Sequence, residues 1–268
     1  MGIKSGLFMF FALLMALVGD GATGQGQESG GDYEEFRETI VSRFKDRAPQ
    51  LWGEVVPGVK TKLNSMKKVI ALTLDACGSE NDSYDSPLIN YLIRENIPGT
   101  LFLNARWIDK YPGESKILAA NSLFEIENHG FAHKPCSVNG KSIYGIKGTA
   151  GVGEVLDEIE KGAKKIASLT GRKPLYYRSG TAYYDEVAAE AVAAMGYQIA
   201  GFSILGDAGA SYSREQVSDA LLDVEPGDVI ICHMNHPESG TAEGIIEAIG
   251  ELKKRGFTFV RLSDYGMR

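Results

Sequence analysis

From residue 67 onward the chain alternates short apolar runs with longer amphipathic stretches. Val69 to Leu74 is a continuous apolar run closed by Asp75, the pattern of a strand buried on both faces. Comparable runs are Thr100 to Leu103, Leu123 to Ile126, Leu175 to Tyr177, Tyr197 to Phe202, Val229 to Cys232 and Phe257 to Val260. Helix signals lie between them. Ser86-Pro87 supplies an N-cap and a first-turn proline for a helix through Asn96. Pro112 to Ala120 predicts another, and the amphipathic stretch Gly153 to Leu169 is closed by Gly171. Asp185 to Met195 is alanine-rich and stops at Gly196; Ser213 caps a helix to Leu222; Thr241 to Arg255 ends at Gly256. Seven strands alternating with helices predict a parallel α/β fold, either a barrel or an open doubly wound sheet.

The residues before this alternation read differently. Lys4 precedes an unbroken apolar run, Leu7 to Val18, followed by the small residues Gly19, Gly21, Ala22 and Gly24. The run is shorter than a membrane span and matches the apolar region of a secretory signal peptide. Residues 1–24 are therefore expected to be a leader. The mature protein would be secreted or periplasmic, with no stable membrane insertion. Gly24 to Gly31 is a flexible polar linker. Asp32 to Arg47 places Phe36, Ile40, Val41 and Phe44 at helical spacing and stops at Ala48-Pro49. Trp52 to Val59 reads as an extended arm packed on the main domain. Residues 25–66 thus form a linker and N-terminal extension, and residues 67–268 the main domain. A chain of 268 residues with 9% aromatic content can build one large core. Its formal net charge of −7 gives no electrostatic case for binding nucleic acid or an anionic membrane.

Chemistry-bearing residues gather at the predicted strand ends. The chain has four histidines, paired as His129 with His133 and His233 with His236. A His-x-x-x-His spacing on one turn of helix brings two imidazoles within reach of one metal ion. Asp75 follows the first strand, His129 the third and Arg178 the fourth; Asp207 lies beyond the fifth and His233 ends the sixth. In α/β barrels the active site is assembled at the C-terminal ends of the strands. There are three cysteines, Cys77, Cys136 and Cys232, all near these residues. They can line the same cleft, Cys77 can pair with Cys136, or they can be small buried hydrophobes.

The ordered set Leu72-Thr-Leu-Asp75, His129-x-x-x-His133, Tyr177-Arg178, Asp207 and Ile231-Cys-His233 resembles the polysaccharide deacetylase family, carbohydrate esterase family 4 with its NodB-homology domain. The closing segment Gly256-Phe-Thr-Phe-Val-Arg-Leu-Ser263 is similar to the end of such domains. The resemblance spans about residues 67–268. It implies a distorted (β/α)7 TIM-like barrel and removal of acetyl groups from N- or O-acetylated sugars of a polysaccharide or oligosaccharide. The family holds zinc or a related divalent ion, with cobalt, nickel and manganese as other fits. On this resemblance Asp75 is the general base, His233 the general acid, and His129 and His133 are metal ligands. Arg178 would position Asp75, and Asp207 would keep His233 protonated.

Three positions depart from the family pattern. Ala76 stands where a metal-binding aspartate is expected, Gly130 where a serine or threonine follows the first histidine, and Arg178-Ser-Gly180 where the family has Arg-x-Pro. The third metal ligand is then open between Asp75 itself, His236, Cys77 or water, with His236 first among the protein alternatives. Two other functions fit the same residues: a non-catalytic glycan-binding descendant, and a metal-dependent amidase on a non-sugar substrate. The segments Gly180 to Tyr184 and His236 to Thr241 are candidate walls of the substrate groove, the tyrosines offering faces for sugar rings.

Overall fold

The computed structural model describes residues 30–268; the expected leader and most of the linker lie outside the described residues. Helix α1 (Gly30–Phe44) leads into an extended arm that ends in β1 (Val59–Lys60). There follow β2 (Val69–Ala76), α2 (Ser86–Arg94), β3 (Gly99–Leu103), α3 (Ala105–Lys110), α4 (Pro112–Ala120) and β4 (Phe124–Asn128). A hairpin, β5 (Ser142–Ile143) and β6 (Ile146–Lys147), precedes α5 (Val152–Thr170), β7 (Tyr176–Tyr177), α6 (Glu186–Ala194), β8 (Gln198–Ala200) and β9 (Ile204–Leu205). The chain closes with α7 (Arg214–Leu222), β10 (Val229–His233), α8 (Thr241–Lys254), β11 (Thr258–Phe259) and α9 (Leu262–Tyr265).

All seven predicted strands are present, and the long sheet is parallel throughout, in the order β1-β8-β7-β4-β3-β2-β10-β9 with β11 beside β2. β8, next to one end of this order, and β9, at the other end, are nearly consecutive in sequence. β8 pairs with β7, and three residues later β9 pairs with β10. One short run of chain therefore bridges the two sides of a curled sheet and makes it a distorted barrel. β11 pairs only with Val69 and Ile70, while β3 pairs with β2 from Thr73 onward. The strand is wedged in at the N-terminal end.

Alternation along the strands separates two packing layers. Leu72, Leu74 and Ala76 of β2 pack outward in a cluster with Leu88 and Leu92 of α2 and Ile245 and Ile249 of α8. Inside the barrel, Ala71, Phe102, Tyr176, Ala200, Val229 and Leu262 form an apolar plug. The larger of these, Phe102, Val229 and Leu262, each contribute about 1.5–3 kcal/mol of transfer free energy when buried. The plug fills one end and leaves the C-terminal strand ends for polar groups.

Local signals explain most elements. The Asp85 carboxylate caps α2 by accepting from Leu88 N, with Pro87 in the first turn. Ser213 and Gln216 form a capping box on α7. The N-terminal extension is built into the barrel: β1 pairs with β8, and α1 packs Ile40 and Phe44 into a cluster with α5 and α6. Helix α3 goes beyond the sequence reading. It follows β3 at once, capped by Asn104, whose side chain accepts from Arg106 N at 3.0 Å.

Candidate active site at the C-terminal strand ends

Arg178, just past β7, organises the centre of the barrel. It is fully buried. Nη1 donates to Asp75 Oδ1 at 2.7 Å and to Thr73 Oγ1 at 2.8 Å. Nε donates to the Ala200 carbonyl at 3.0 Å and Nη2 to the Gly201 carbonyl at 3.1 Å. Those carbonyls sit where the chain leaves β8 for β9, so one guanidinium satisfies the break in the sheet and clamps Asp75. Its face lies 4.2 Å above the Phe102 ring at the top of the apolar plug. Burial acts to raise the Asp75 pKa, but the charge of Arg178 foremost, with that of His233, overcomes it and holds the carboxyl below its ordinary value.

His129 follows β4. Its Nδ1 is 3.0 Å from the Arg178 carbonyl oxygen, which can only accept, so Nδ1 carries the proton of the neutral ring. Nε2 then presents a lone pair, 3.8 Å from Cys77 Sγ and 3.8 Å from Asp75 Oδ2. Burial lowers the pKa of His129, and that of His133 still further. His133 Nε2 is buried without a hydrogen-bond partner. The ring centroids of the two histidines are 4.9 Å apart, edge to face. One ligand atom each from Cys77, His129 and His133 lies within 4.8 Å of the others. A neutral imidazole lone pair, an orphaned ring nitrogen and a thiol turned toward one point are what a cation needs. The donor set fits a divalent metal of borderline softness.

The His129–His133 turn is not helical. His133 has φ +59, and Gly130 has φ +76. A Cβ on Gly130 would meet Glu158 Oε1 at 2.6 Å, which accounts for glycine at this position. Glu158 of α5 braces the turn: its carboxylate accepts from Ala132 N at 2.8 Å and from Lys134 N at 3.3 Å. Gly180 matters for the same reason, since a Cβ there would lie 2.3 Å from the His133 carbonyl carbon. Asn104 donates to the carbonyls of His129 and Gly130 at 3.0 Å each. Glu158 and Asn104 were not among the residues singled out from sequence; neither carries a motif, and only the fold brings them here.

Across the cavity, His233 at the end of β10 is held by Asp207. Nδ1 donates to Asp207 Oδ1 at 2.8 Å, and the His233 backbone N donates to Oδ2 at 2.7 Å. Thr241 Oγ1 donates to the same carboxylate at 3.0 Å. Burial opposes the charge on His233, but the buried Asp207 carboxylate outweighs it and raises the imidazole well above its ordinary pKa. Register places His233 directly beside Asp75 on the neighbouring strand. Asp75, Cys77, His133 and His233 all line one cavity of about 550 Å³.

His236, the first-ranked protein alternative for a third ligand, stands apart from the histidine pair. Its Nδ1 is 3.0 Å from Glu238 Oε1 and its Nε2 is 3.5 Å from Asp82 Oδ1. Cys77 takes the place beside the pair. Strand alternation explains why: Ala76 faces the helix layer with Leu72 and Leu74, whereas Cys77 shares the cavity side with Asp75. All three cysteines are free. Cys136 and Cys232 are buried in hydrophobic clusters, so the shared cleft and the Cys77–Cys136 pairing are not seen.

Comparison with known proteins identifies the family and the fold. The polysaccharide deacetylase family profile matches residues 62–200, and the chain belongs to that family. It is 24% identical over 209 residues to the peptidoglycan-N-acetylmuramic acid deacetylase PdaA of Bacillus subtilis, covering 75% of this chain and 72% of that protein. The solved structure of B. subtilis PdaA, a family 4 carbohydrate esterase, matches with TM-score 0.64 at 21% identity, over 85% of this chain and 87% of that one. A family 4 pseudoenzyme from Bacillus anthracis matches with TM-score 0.65 at 19% identity, over 79% and 69% of the two chains. A family 4 acetyl xylan esterase from Clostridium thermocellum, solved with a cobalt ion, gives TM-score 0.61 at 21% identity over 74% and 89%. The fold is the distorted (β/α)7 barrel of that family.

Proposed function

We propose that this protein is a metal-dependent hydrolase that removes acetyl groups from N- or O-acetylated sugars of a glycan. The observation that carries the reading is the convergence on one cavity of three different groups. These are an ionised carboxylate clamped by Arg178, a protonated imidazole held by Asp207, and the ligand cluster Cys77, His129 and His133.

A divalent ion, zinc foremost, would be held by His129 and His133 with Cys77 as third protein ligand. Such an ion polarises an acyl carbonyl and lowers the pKa of water. The remaining work falls to side chains. Asp75 accepts a proton from the attacking water as its oxygen adds to the acetyl carbon. Arg178 fixes the Asp75 carboxylate toward the cavity and keeps it ionised. His233 gives its proton to the departing sugar nitrogen or oxygen as the carbon–heteroatom bond breaks, and acetate is released. Asp207 orients that imidazole through Nδ1, which leaves the other side of the ring to the cavity and to Cys77, with which His233 also shares a hydrogen bond. Export fits a substrate in the cell envelope and rests on the leader-like residues 1–24; among the described residues no helix is long and apolar enough to cross a membrane.

The test is acetate release from acetylated glycans together with metal content of the purified protein. Wild-type protein is expected to bind metal and release acetate, and His129→Ala and His133→Ala to lose both. A glycan-binding descendant is the second reading, favoured by the pseudoenzyme among the structural relatives. Metal binding without acetate release from any acetylated glycan would decide for it.

A further inference from the structure

Arg106 lines the catalytic cavity, and folding does not account for it. It is the second residue of α3, after the Asn104 cap, in a first turn that holds no acidic residue. A cation is disfavoured there, because the helix dipole presents its positive end. The side chain is exposed, so packing does not offset that cost. Its side-chain hydrogen bond is a long one, from Nε to Asn104 Oδ1 at 3.5 Å, and among the described residues no carboxylate pairs with it. An exposed, unpaired cation set against the helix dipole points to a role outside the fold.

The backbone of Arg106 is fixed relative to the histidine pair. Asn104 accepts from Arg106 N at 3.0 Å and donates to the carbonyls of His129 and Gly130. Trp107, the next residue, is fully buried, and its Nε1 donates to the Ser83 carbonyl at 2.9 Å. Gly78, with φ +82, lets α3 lie against the segment that carries Cys77: a Cβ there would meet Trp107 N at 2.7 Å and Arg106 Cβ at 3.1 Å. Burial chiefly lowers the His133 pKa, and the nearby Arg106 charge lowers it further. Arg106 is also the only lysine or arginine among the described residues that line the cavity. The other charges there have partners: Asp75 has Arg178, His233 has Asp207, and Asp82 accepts from Ser79 N and Oγ at 2.7 and 2.5 Å. Glu54 lies by the hairpin, where its charge acts on Tyr144.

We infer that Arg106 is a specificity residue, which selects acetylated sugars that themselves carry a carboxylate by pairing its guanidinium with that group. A guanidinium matches a carboxylate in planar, two-bonded geometry. A doubly charged phosphate suits the site less, because Glu54, Asp75 and Asp82 line the same cavity. The inference rests on the deacetylase reading for the sugar, but its test reads binding apart from turnover. Single sugars are the probes, so that no neighbouring ring contributes. N-acetylglucosamine is the neutral one; N-acetylmuramic acid adds a carboxylate on a lactyl ether, and N-acetylglucosaminuronic acid places one on the ring. The methyl ester of each acid keeps the shape and removes the charge. Ligand-observed NMR on the wild-type protein reads affinity and any released acetate in one sample.

At least one acid is expected to bind about tenfold tighter than its methyl ester and than N-acetylglucosamine. The acid preferred identifies where the carboxylate sits. Arg106→Gln should abolish the preference and leave the neutral sugar's affinity unchanged, Arg106→Lys should keep only part of it, and added salt should shrink it. Arg106→Gln should also unfold at the same or a higher temperature, since it removes a cation from the helix N-terminus. The inference is overturned if neither acid binds tighter than its ester, or if Arg106→Gln weakens neutral and acidic sugars alike. An acid preference that depends on Arg106, without acetate release, would remove the proposed activity and leave this inference. Acetate release from neutral and acidic sugars alike, indifferent to Arg106→Gln, would do the reverse.

Discussion

Cys77→Ala is the substitution that most directly probes the chemistry of the site. Its Sγ lies 3.8 Å from His129 Nε2, and with His133 the thiol makes up the proposed three-ligand group. Burial raises the thiol's pKa, so without a cation it is neutral; a bound metal deprotonates a coordinating thiol outright. Structural zinc sites with four protein ligands bind with about 10–16 kcal/mol, or roughly 3 kcal/mol for each ligand. Loss of one ligand of three should therefore weaken the metal about 100-fold. The fold should hold, because Cys77 lines the cavity beyond the last residue of β2 rather than packing in a core cluster. Cobalt(II) makes the ligand visible: a thiolate donor adds a charge-transfer band in the near ultraviolet that imidazole and water ligands do not. The band is expected in the wild type and absent in Cys77→Ala, with affinity read by competition against a chelator. A cobalt-loaded wild type without the band, or a Cys77→Ala protein that binds metal as tightly as the wild type, would refute the assignment.

Two further predictions concern groups that position others. The proposed mechanism needs Asp75 ionised and His233 protonated, so the rate should fall at acid pH through the depressed carboxyl and at alkaline pH through the raised imidazole. Asp207→Asn removes the charge that raises His233, and a pH–rate profile should show the alkaline limb shifted downward; an unmoved limb would mean that another group titrates there. Glu158→Ala leaves the Ala132 and Lys134 amides without their acceptor in a half-buried turn. It should cost about 2–3 kcal/mol of stability and weaken metal binding by freeing His133 from its left-handed conformation. Unchanged thermal unfolding together with unchanged metal affinity would count against that bracing role.

The sequence was informative where one local pattern sufficed. Apolar runs buried on both faces located the strands, because each strand of a parallel barrel is covered on both sides. Asp75, His129, Arg178 and His233 were legible because a barrel presents strand ends to one face, whatever the connections do. Helix α3 was less legible: its short run Ala105–Lys110 is too brief for periodicity to declare itself. The hairpin β5–β6 escaped because its turn residue, Tyr144, violates the chemistry by which such turns are recognised.

What only the tertiary structure decided is which of these groups meet. Sequence order put His236 ahead of Cys77 and Asp75 as the partner of the histidine pair. Strand alternation and the path of the later loops settled their places, setting Cys77 beside His129 and His236 beside Asp82 and Glu238. The clamp on Asp75 is likewise non-local, since Arg178 reaches it from across the barrel while tying the carbonyls between β8 and β9. Local spacing specifies which residues stand at strand ends. Distances between side chains carried by different strands depend on how the sheet curls and closes, and the sequence alone does not state that.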